Sequence, residues 1–185
     1  MATDAMRTSD DILVFWFDTL KPADWFRKST KLDGTISSRF TATHAAARAG
    51  ELHAWRDRPT GRLAEIIVLD QFSRNIFRDM PLAFAQDAQA LTLAQEALRA
   101  GADKTLGTSQ RAFLYMPFMH SESAAIHEWA LQLFSQPGLE NQLKFEQRHK
   151  AIIDRFGRYP HRNEVLGRAS TDEELAFLQE PGSSF

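Results

Sequence analysis

The stretch Leu63-Ala64-Glu65-Ile66-Ile67-Val68-Leu69-Asp70-Gln71-Phe72-Ser73-Arg74-Asn75-Ile76-Phe77 runs from apolar residues directly into polar ones. Asp70 falls four residues after Ile66 and three after Ile67, which places it on the buried stripe of a helix. An inward carboxylate without partners carries a desolvation penalty on the order of several kcal/mol, so Asp70 must find donors. Arg74, one helical turn later, is the nearest. Either a ligand site or a polar core uses this group, and the helix holding it runs from about Arg62 toward Phe77.

Helical punctuation continues outward on both sides. Toward the N-terminus, Arg58-Pro59-Thr60-Gly61 reads as a loop, preceded by a short turn at Leu52 and Trp55. Before it, Asp33 is placed to cap a helix with Ile36, Phe40, Thr43 or His44, and Ala47 on one side, closed at Arg48-Ala49-Gly50. Ser9 is placed to cap the first helix, with Asp10 and Asp11 in its positive first turn, and Pro22 ends it. Ile12 to Phe17 is apolar on every face, which predicts a helix sandwiched inside the domain or shared with a second copy.

Toward the C-terminus, a helix from about Pro81 to Ala100 closes at Arg99-Ala100-Gly101. Ser109 opens another, which Pro117 kinks or stops, delivering Phe118-Met119-His120-Ser121-Glu122-Ser123 to the start of a helix over Ala124 to Phe134 capped by Ser121 or Ser123. A further helix carries His149 and stops at Gly157, before the polar loop Arg158-Tyr159-Pro160-His161-Arg162-Asn163. Thr171-Asp172-Glu173-Glu174 is a capping box opening the last helix, with Leu175 and Leu178 or Phe177 inward. No segment alternates with period two, so the fold class is all-α, with roughly seven to nine helices.

With 185 residues and 43% hydrophobic content, a single domain over residues 1–185 is expected, with loose ends at 1–8 and 180–185. The 22 basic and 24 acidic residues balance to −2, so no global field favours nucleic acid or an anionic membrane, and any anion site must be local. The absence of cysteine excludes disulfides, thiolate catalysis and cysteine-type zinc sites. Without an apolar leader or a membrane-length apolar run, a cytoplasmic protein is expected.

Ile67-Val68-Leu69-Asp70-Gln71-Phe72-Ser73-Arg74 and Ala151-Ile152-Ile153-Asp154-Arg155-Phe156-Gly157-Arg158 share one pattern, with Asp and Arg four apart in each. Each string is therefore expected to form its own Asp to Arg pair. If the two ends approach, Arg74, Arg158 and Arg162 line one electropositive hollow with Asn75 and Asn163 beside it. The alternative is a buried ion-pair network that only fixes loop geometry. His44, His53 and His127 lie in ordinary helical or turn settings and read as surface or satisfied core residues. His120, His149 and His161 lie near the polar turns, where an imidazole serves as acid or base. His120 and Glu122 are two apart and share no helix face, so no metal is assigned. Walker, dinucleotide-binding and nucleophile-elbow motifs are absent, and no cofactor is expected.

The strings Asp70-Gln71-Phe72-Ser73-Arg74-Asn75, Pro117 to Glu122, and Phe156 to Asn163, together with Leu166-Gly167-Arg168 and Thr171 to Glu174, resemble the bacterial domain-of-unknown-function family 924. The resemblance extends from about Ile12 to Leu178. It implies a tetratricopeptide-like array of antiparallel helix pairs and no defined activity, although the chain carries no 34-residue consensus repeat. This chain has Ser73 where the family commonly has proline, which is expected to leave that turn freer, and Ser123 where it has aspartate, which argues further against a metal.

The leading functional expectation is a pocket for a small anionic ligand, phosphate or carboxylate, held by Asp70, Arg74, Asn75, His149, Arg158, Arg162 and Asn163. A hydrolase-like enzyme using His120, Glu122 and His161 for proton transfer is the first alternative. The other is an interaction scaffold in which the polar cluster is structural, with a homodimer through the Ile12 to Phe17 helix.

Overall fold

The computed structural model describes residues 5–184, which fold into helices and turns with no strand among them. The chain divides into two compact units, Met1–Arg78 with Leu82–Pro117, and Asp79–Pro81 with Phe118–Phe185.

Unit 1 begins with α1 (Ser9–Leu13), whose cap is Thr8 and not Ser9. The Thr8 hydroxyl accepts from the Asp11 N–H at 3.2 Å while the Asp11 carboxylate accepts from the Thr8 N–H at 2.9 Å, satisfying two terminal donors reciprocally. Arg7 N–H also donates to Thr43 Oγ1 at 2.8 Å, so the chain just before α1 is anchored. Of the ends expected to be loose, residues 1–4 and 185 lie outside the described residues. Near the other end, the Ser183 hydroxyl donates to the Leu178 carbonyl at 3.1 Å.

After α1 the chain widens into a π-turn, Val14–Thr19. Ile12, Phe15 and Trp16 are buried on one stripe, whereas Val14 is 53% exposed. The six apolar residues are therefore not enclosed on every face. Pro22 starts the short α2 (Pro22–Trp25), where a missing N–H costs nothing, and the preceding turn had already ended at Thr19.

The cap of α3 (Thr30–Arg48) is Ser29, which leaves Asp33 inside the first turn with its carboxylate available to other segments. Ile36, Phe40, Thr43, His44 and Ala47 form the buried stripe. Pro59 begins α4 (Pro59–Ile67) directly, so the loop expected there is the first helical turn. Gly61 is required in that turn, since a Cβ at this position would lie 2.0 Å from the Trp55 carbonyl oxygen. The helix then passes through a second π-turn, Val68–Phe72, into α5 (Ser73–Ile76). The ladder is offset across this polar string, as π-turns commonly are at special sites.

The helix expected from Pro81 to Ala100 is in two pieces, a 3-10 turn at Pro81–Ala83 and α6 (Asp87–Arg99). Ala90, Ala94 and Ala97 are fully buried, and their small side chains let α6 lie close against α4. Gly101, at φ 69°, ends it as a left-handed cap. The next helix, α7 (Thr108–Met119), continues through Pro117 instead of stopping there, and the boundary between the units falls within it.

Unit 2 pairs α8 (Ala124–Phe134) with α9 (Glu140–Phe156), and Gly157 at φ 69° terminates α9. The inward stripe of α9 holds Glu146, His149, Ile152 and Ile153. After the loop, α10 (Asp172–Phe177) opens with the expected capping box between Thr171 and Glu174. Phe177 packs on Phe156 at 5.0 Å between ring centroids, whereas Leu175, expected inward, is 52% exposed.

Candidate functional site

In unit 1 the expected pair forms. Asp70 is 1% exposed, its carboxylate accepts from Gln71 Nε2 at 2.6 Å, and Arg74 Nη1 lies 3.3 Å away. Arg74 also donates to the Asp70 carbonyl at 2.8 Å and grips Asp87 through two bonds of 2.9 and 3.0 Å. This grip places Asp87 at the start of α6, where a carboxylate suits the helix dipole. Asn75 donates to Asp33 at 2.8 Å, and Arg78 clamps the same carboxylate at 2.6 and 2.7 Å. Burial alone would raise the Asp33 pKa, but the bonds from Arg78 and Asn75 and the Arg78 charge together hold it below the usual value.

Ser73 does not loosen the turn. Its hydroxyl donates to the Leu69 carbonyl at 2.5 Å and accepts from His44 Nε2 at 2.8 Å, tying α3 to the π-turn. Burial, with the Arg48 charge, pushes His44 down to about 4, so this imidazole is neutral.

Unit 2 departs from the expected pairing. Asp154 accepts from Lys150, while Arg158 clamps Glu174 at 2.6 and 2.8 Å and donates to the Ala169 carbonyl. The cause is Gly157, which ends α9 before Arg158 and so takes the guanidinium off the Asp154 face. The Arg158 bonds, aided by the Thr171 N–H and the Asn163 amide, pull Glu174 down to about 2. Asn163, fully buried, donates to Ser170 Oγ at 3.0 Å and accepts from Arg168 Nε at 2.9 Å. Arg158 and Asn163 thus hold the loop that follows α9 in shape.

Other predicted residues gather around Tyr159, which is fully buried. Its N–H donates to Glu122 at 2.7 Å and its hydroxyl to the Met119 carbonyl at 2.6 Å. The rings of His149 and His161 lie 5.7 and 5.6 Å from the Tyr159 ring, and the Arg162 guanidinium stacks at 4.7 Å while donating to the His120 carbonyl. Glu122 also receives two bonds from Arg168, at 2.7 and 2.9 Å. Burial opposes ionisation of Glu122, yet these bonds and the Tyr159 N–H lower its pKa. His149 donates Nδ1–H to the Phe145 carbonyl at 2.8 Å. Burial pushes it down to about 3, reinforced by the charges of His120, His127 and His161, so it stays neutral.

The sequence reading passed over four members of this cluster: His127, Glu146, Tyr159 and Arg168. His127 Nδ1 lies 2.6 Å from Glu146 and its Nε2 lies 2.8 Å from the Ser121 carbonyl, both side chains being fully buried. A carbonyl only accepts, so Nε2 carries a proton, and a second proton is shared between Nδ1 and the carboxyl. Burial raises the Glu146 pKa against the pull of His127. The available signal was the spacing Glu146-x-x-His149, which puts two polar groups on the inner face of α9. Among the described residues, no three His, Asp or Glu side chains are arranged to hold a metal ion.

Where the cluster meets solvent, a hollow of about 480 Å³ is lined by Pro160, His161, Glu164, Arg168, Ser170, Leu175 and Leu178. That volume is within the usual range for small-molecule sites.

Comparison with known proteins agrees with this architecture. No curated protein matches the chain. A solved structure described as a protein of unknown function, ATU0120 from Agrobacterium tumefaciens, is similar with a TM-score of 0.88 and 37% identity over 92% of this chain and 96% of that one. No helix among the described residues is long and apolar enough to cross a membrane. The family described as bacterial protein of unknown function (DUF924) matches residues 12–182, and with nearly the whole chain covered, the protein belongs to that family.

Proposed function

We propose that unit 2 binds a small anion, a carboxylate or a phosphate, at the solvent edge of the Tyr159 cluster. The observation that supports this is that Arg168 and His161 both line the hollow. Arg168 bonds Glu122, whose carboxyl also feels the Arg162 charge, and Glu146 shares its proton with His127. Arg168 keeps one guanidinium N–H uncommitted beside that hollow, which Glu164 also lines. An anion entering there accepts charge-assisted bonds in a partly desolvated setting, where they are strongest.

Of the residues singled out from the sequence, His149, His161 and Arg162 carry this reading, and Arg168 joins them. His120 anchors Arg162 through its carbonyl. Glu122, held ionised by Arg168 and the Tyr159 N–H, is suited to fixing Arg168 in place and ill suited to carrying a proton, which favours binding over turnover. In unit 1, Asp70, Arg74 and Asn75 serve the ion-pair network already described. A dimer through the Ile12 to Phe17 helix has little apolar surface to draw on, because Ile12, Phe15 and Trp16 are buried within unit 1.

Calorimetric titration of the full chain with inorganic phosphate and with acetate tests the proposal. Saturable binding is expected, weakened about tenfold by His161→Ala at unchanged melting temperature. No saturable heat with either anion would overturn it.

A further inference from the structure

Glu164 is exposed, lines the hollow, and makes no side-chain hydrogen bond or ion pair with any described residue. A second carboxylate at an anion site is a contradiction unless the ligand also carries a positive charge. The rest of the lining says where each part of such a ligand would go. Arg168 has committed Nε to Asn163, one Nη1 hydrogen to Glu122, and Nη2 to Glu122 and the Tyr159 carbonyl. A guanidinium has five N–H donors, so one Nη1 hydrogen remains for a guest. Ser170 Oγ accepts from Asn163, which leaves its own proton to donate. Pro160, Leu175 and Leu178 form an apolar wall, and Leu175 is 52% exposed although it lies on a helix with a buried side available.

We infer that the ligand of this hollow is a zwitterion of the α-amino-acid class with an apolar side chain. This rests on the anion reading above and narrows it. The ligand carboxylate meets Arg168, His161 and the Ser170 hydroxyl, its ammonium donates to Glu164, and its side chain covers Leu175, Leu178 and Pro160. A dianion such as phosphate gains the first set of contacts but is opposed by Glu164. An amino acid turns that opposition into a charge-assisted hydrogen bond, and carboxylates of this kind select by repelling the wrong guest as much as by holding the right one.

The test is calorimetric titration of the full chain with leucine, with isocaproate, which is the same skeleton without the amine, and with isoamylamine, which lacks the carboxylate. Leucine is expected to bind about tenfold more tightly than isocaproate. Glu164→Gln should erase that difference, weakening leucine and strengthening isocaproate, at an unchanged melting temperature, because the Glu164 side chain supports no other part of the fold. Equal affinity for leucine and isocaproate, with Glu164→Gln silent, overturns the inference and leaves the anion reading standing. Isoamylamine binding as tightly as leucine also overturns it, since the carboxylate would then contribute nothing. Failure of both acids and of phosphate to bind removes the anion reading together with the inference.

Discussion

In unit 1 the string from Ile67 to Arg74 leaves Asp70 1% exposed and bonded to Arg74, whereas in unit 2 the matching string from Ala151 to Arg158 leaves the Asp154 side chain 49% exposed on Lys150 and sends Arg158 to Glu174. The letters match, but the backbone does not. The first string stays helical through its π-turn and α5, so Asp70 and Arg74 remain neighbours. The second meets Gly157 in the left-handed region, which turns the chain away one residue before the arginine. An i, i+4 pair exists only while both residues are in the helix, so a capping glycine between them outweighs their complementary charge.

The strongest way to break this comparison is to remove each aspartate. Asp70→Ala is expected to cost about 3 kcal/mol, because Gln71 and Arg74 lose a buried acceptor, while Asp87 still offsets the Arg74 charge. Asp154→Ala should stay within about 0.5 kcal/mol, as for exposed ion pairs generally. Equal losses in urea unfolding would show that the two strings are equivalent after all.

Next in size is Glu174→Ala, at about 2 kcal/mol, since it removes both a capping-box member and the carboxylate that Arg158 clamps. A double-mutant cycle should couple Arg158 to Glu174 and not to Asp154; coupling to Asp154 would restore the pairing that the sequence suggested.

A pH titration sharpens the contrast from another side, because each unit buries one neutral imidazole. His44 and His149, with folded values of about 4 and about 3, protonate at 6.5 once unfolded. Their unfolded forms therefore take up protons first as pH falls. Stability should be level above pH 6.5 and decline below it, by at most about 1.4 kcal/mol per pH unit for each group, until the folded values are reached. His149→Gln should flatten part of that slope in chemical denaturation; an unchanged slope would mean that His149 is not held neutral.

Smaller than the Glu174 effect is Ser73→Ala, expected to cost about 1 kcal/mol through its lost bonds to Leu69 and His44. The exposed Ser123, which caps α8 without a side-chain bond, should tolerate alanine with no measurable change.

Local features were legible before any coordinates. The Thr171 to Glu174 capping box, the glycine stops at Gly101 and Gly157, and the Ile36, Phe40 and Ala47 stripe are written in spacings of three or four residues, because caps and helix faces depend on neighbours within a turn or two. The candidate site was only partly legible. His149, His161, Arg162 and Glu122 were visible as polar residues beside turns. His127 was set aside because a histidine in an ordinary helical setting reads as a surface or satisfied core residue, and Arg168 was given no role because it lies beyond the polar loop. Glu146 was hidden by its place in a charged run, where only its spacing to His149 hinted at an inward face.

By itself, then, the sequence determined that this protein is helical, where most of its helices end, and that its unusual polar groups cluster near those ends. Tertiary structure alone decided which charge meets which. Arg74 reaches Asp87, Arg78 reaches Asp33, Arg158 reaches Glu174, and Arg168 reaches Glu122 across gaps of 13, 45, 16 and 46 residues. A guanidinium on a flexible stem bonds whichever carboxylate the packed backbone brings near, and no local rule of spacing encodes that meeting.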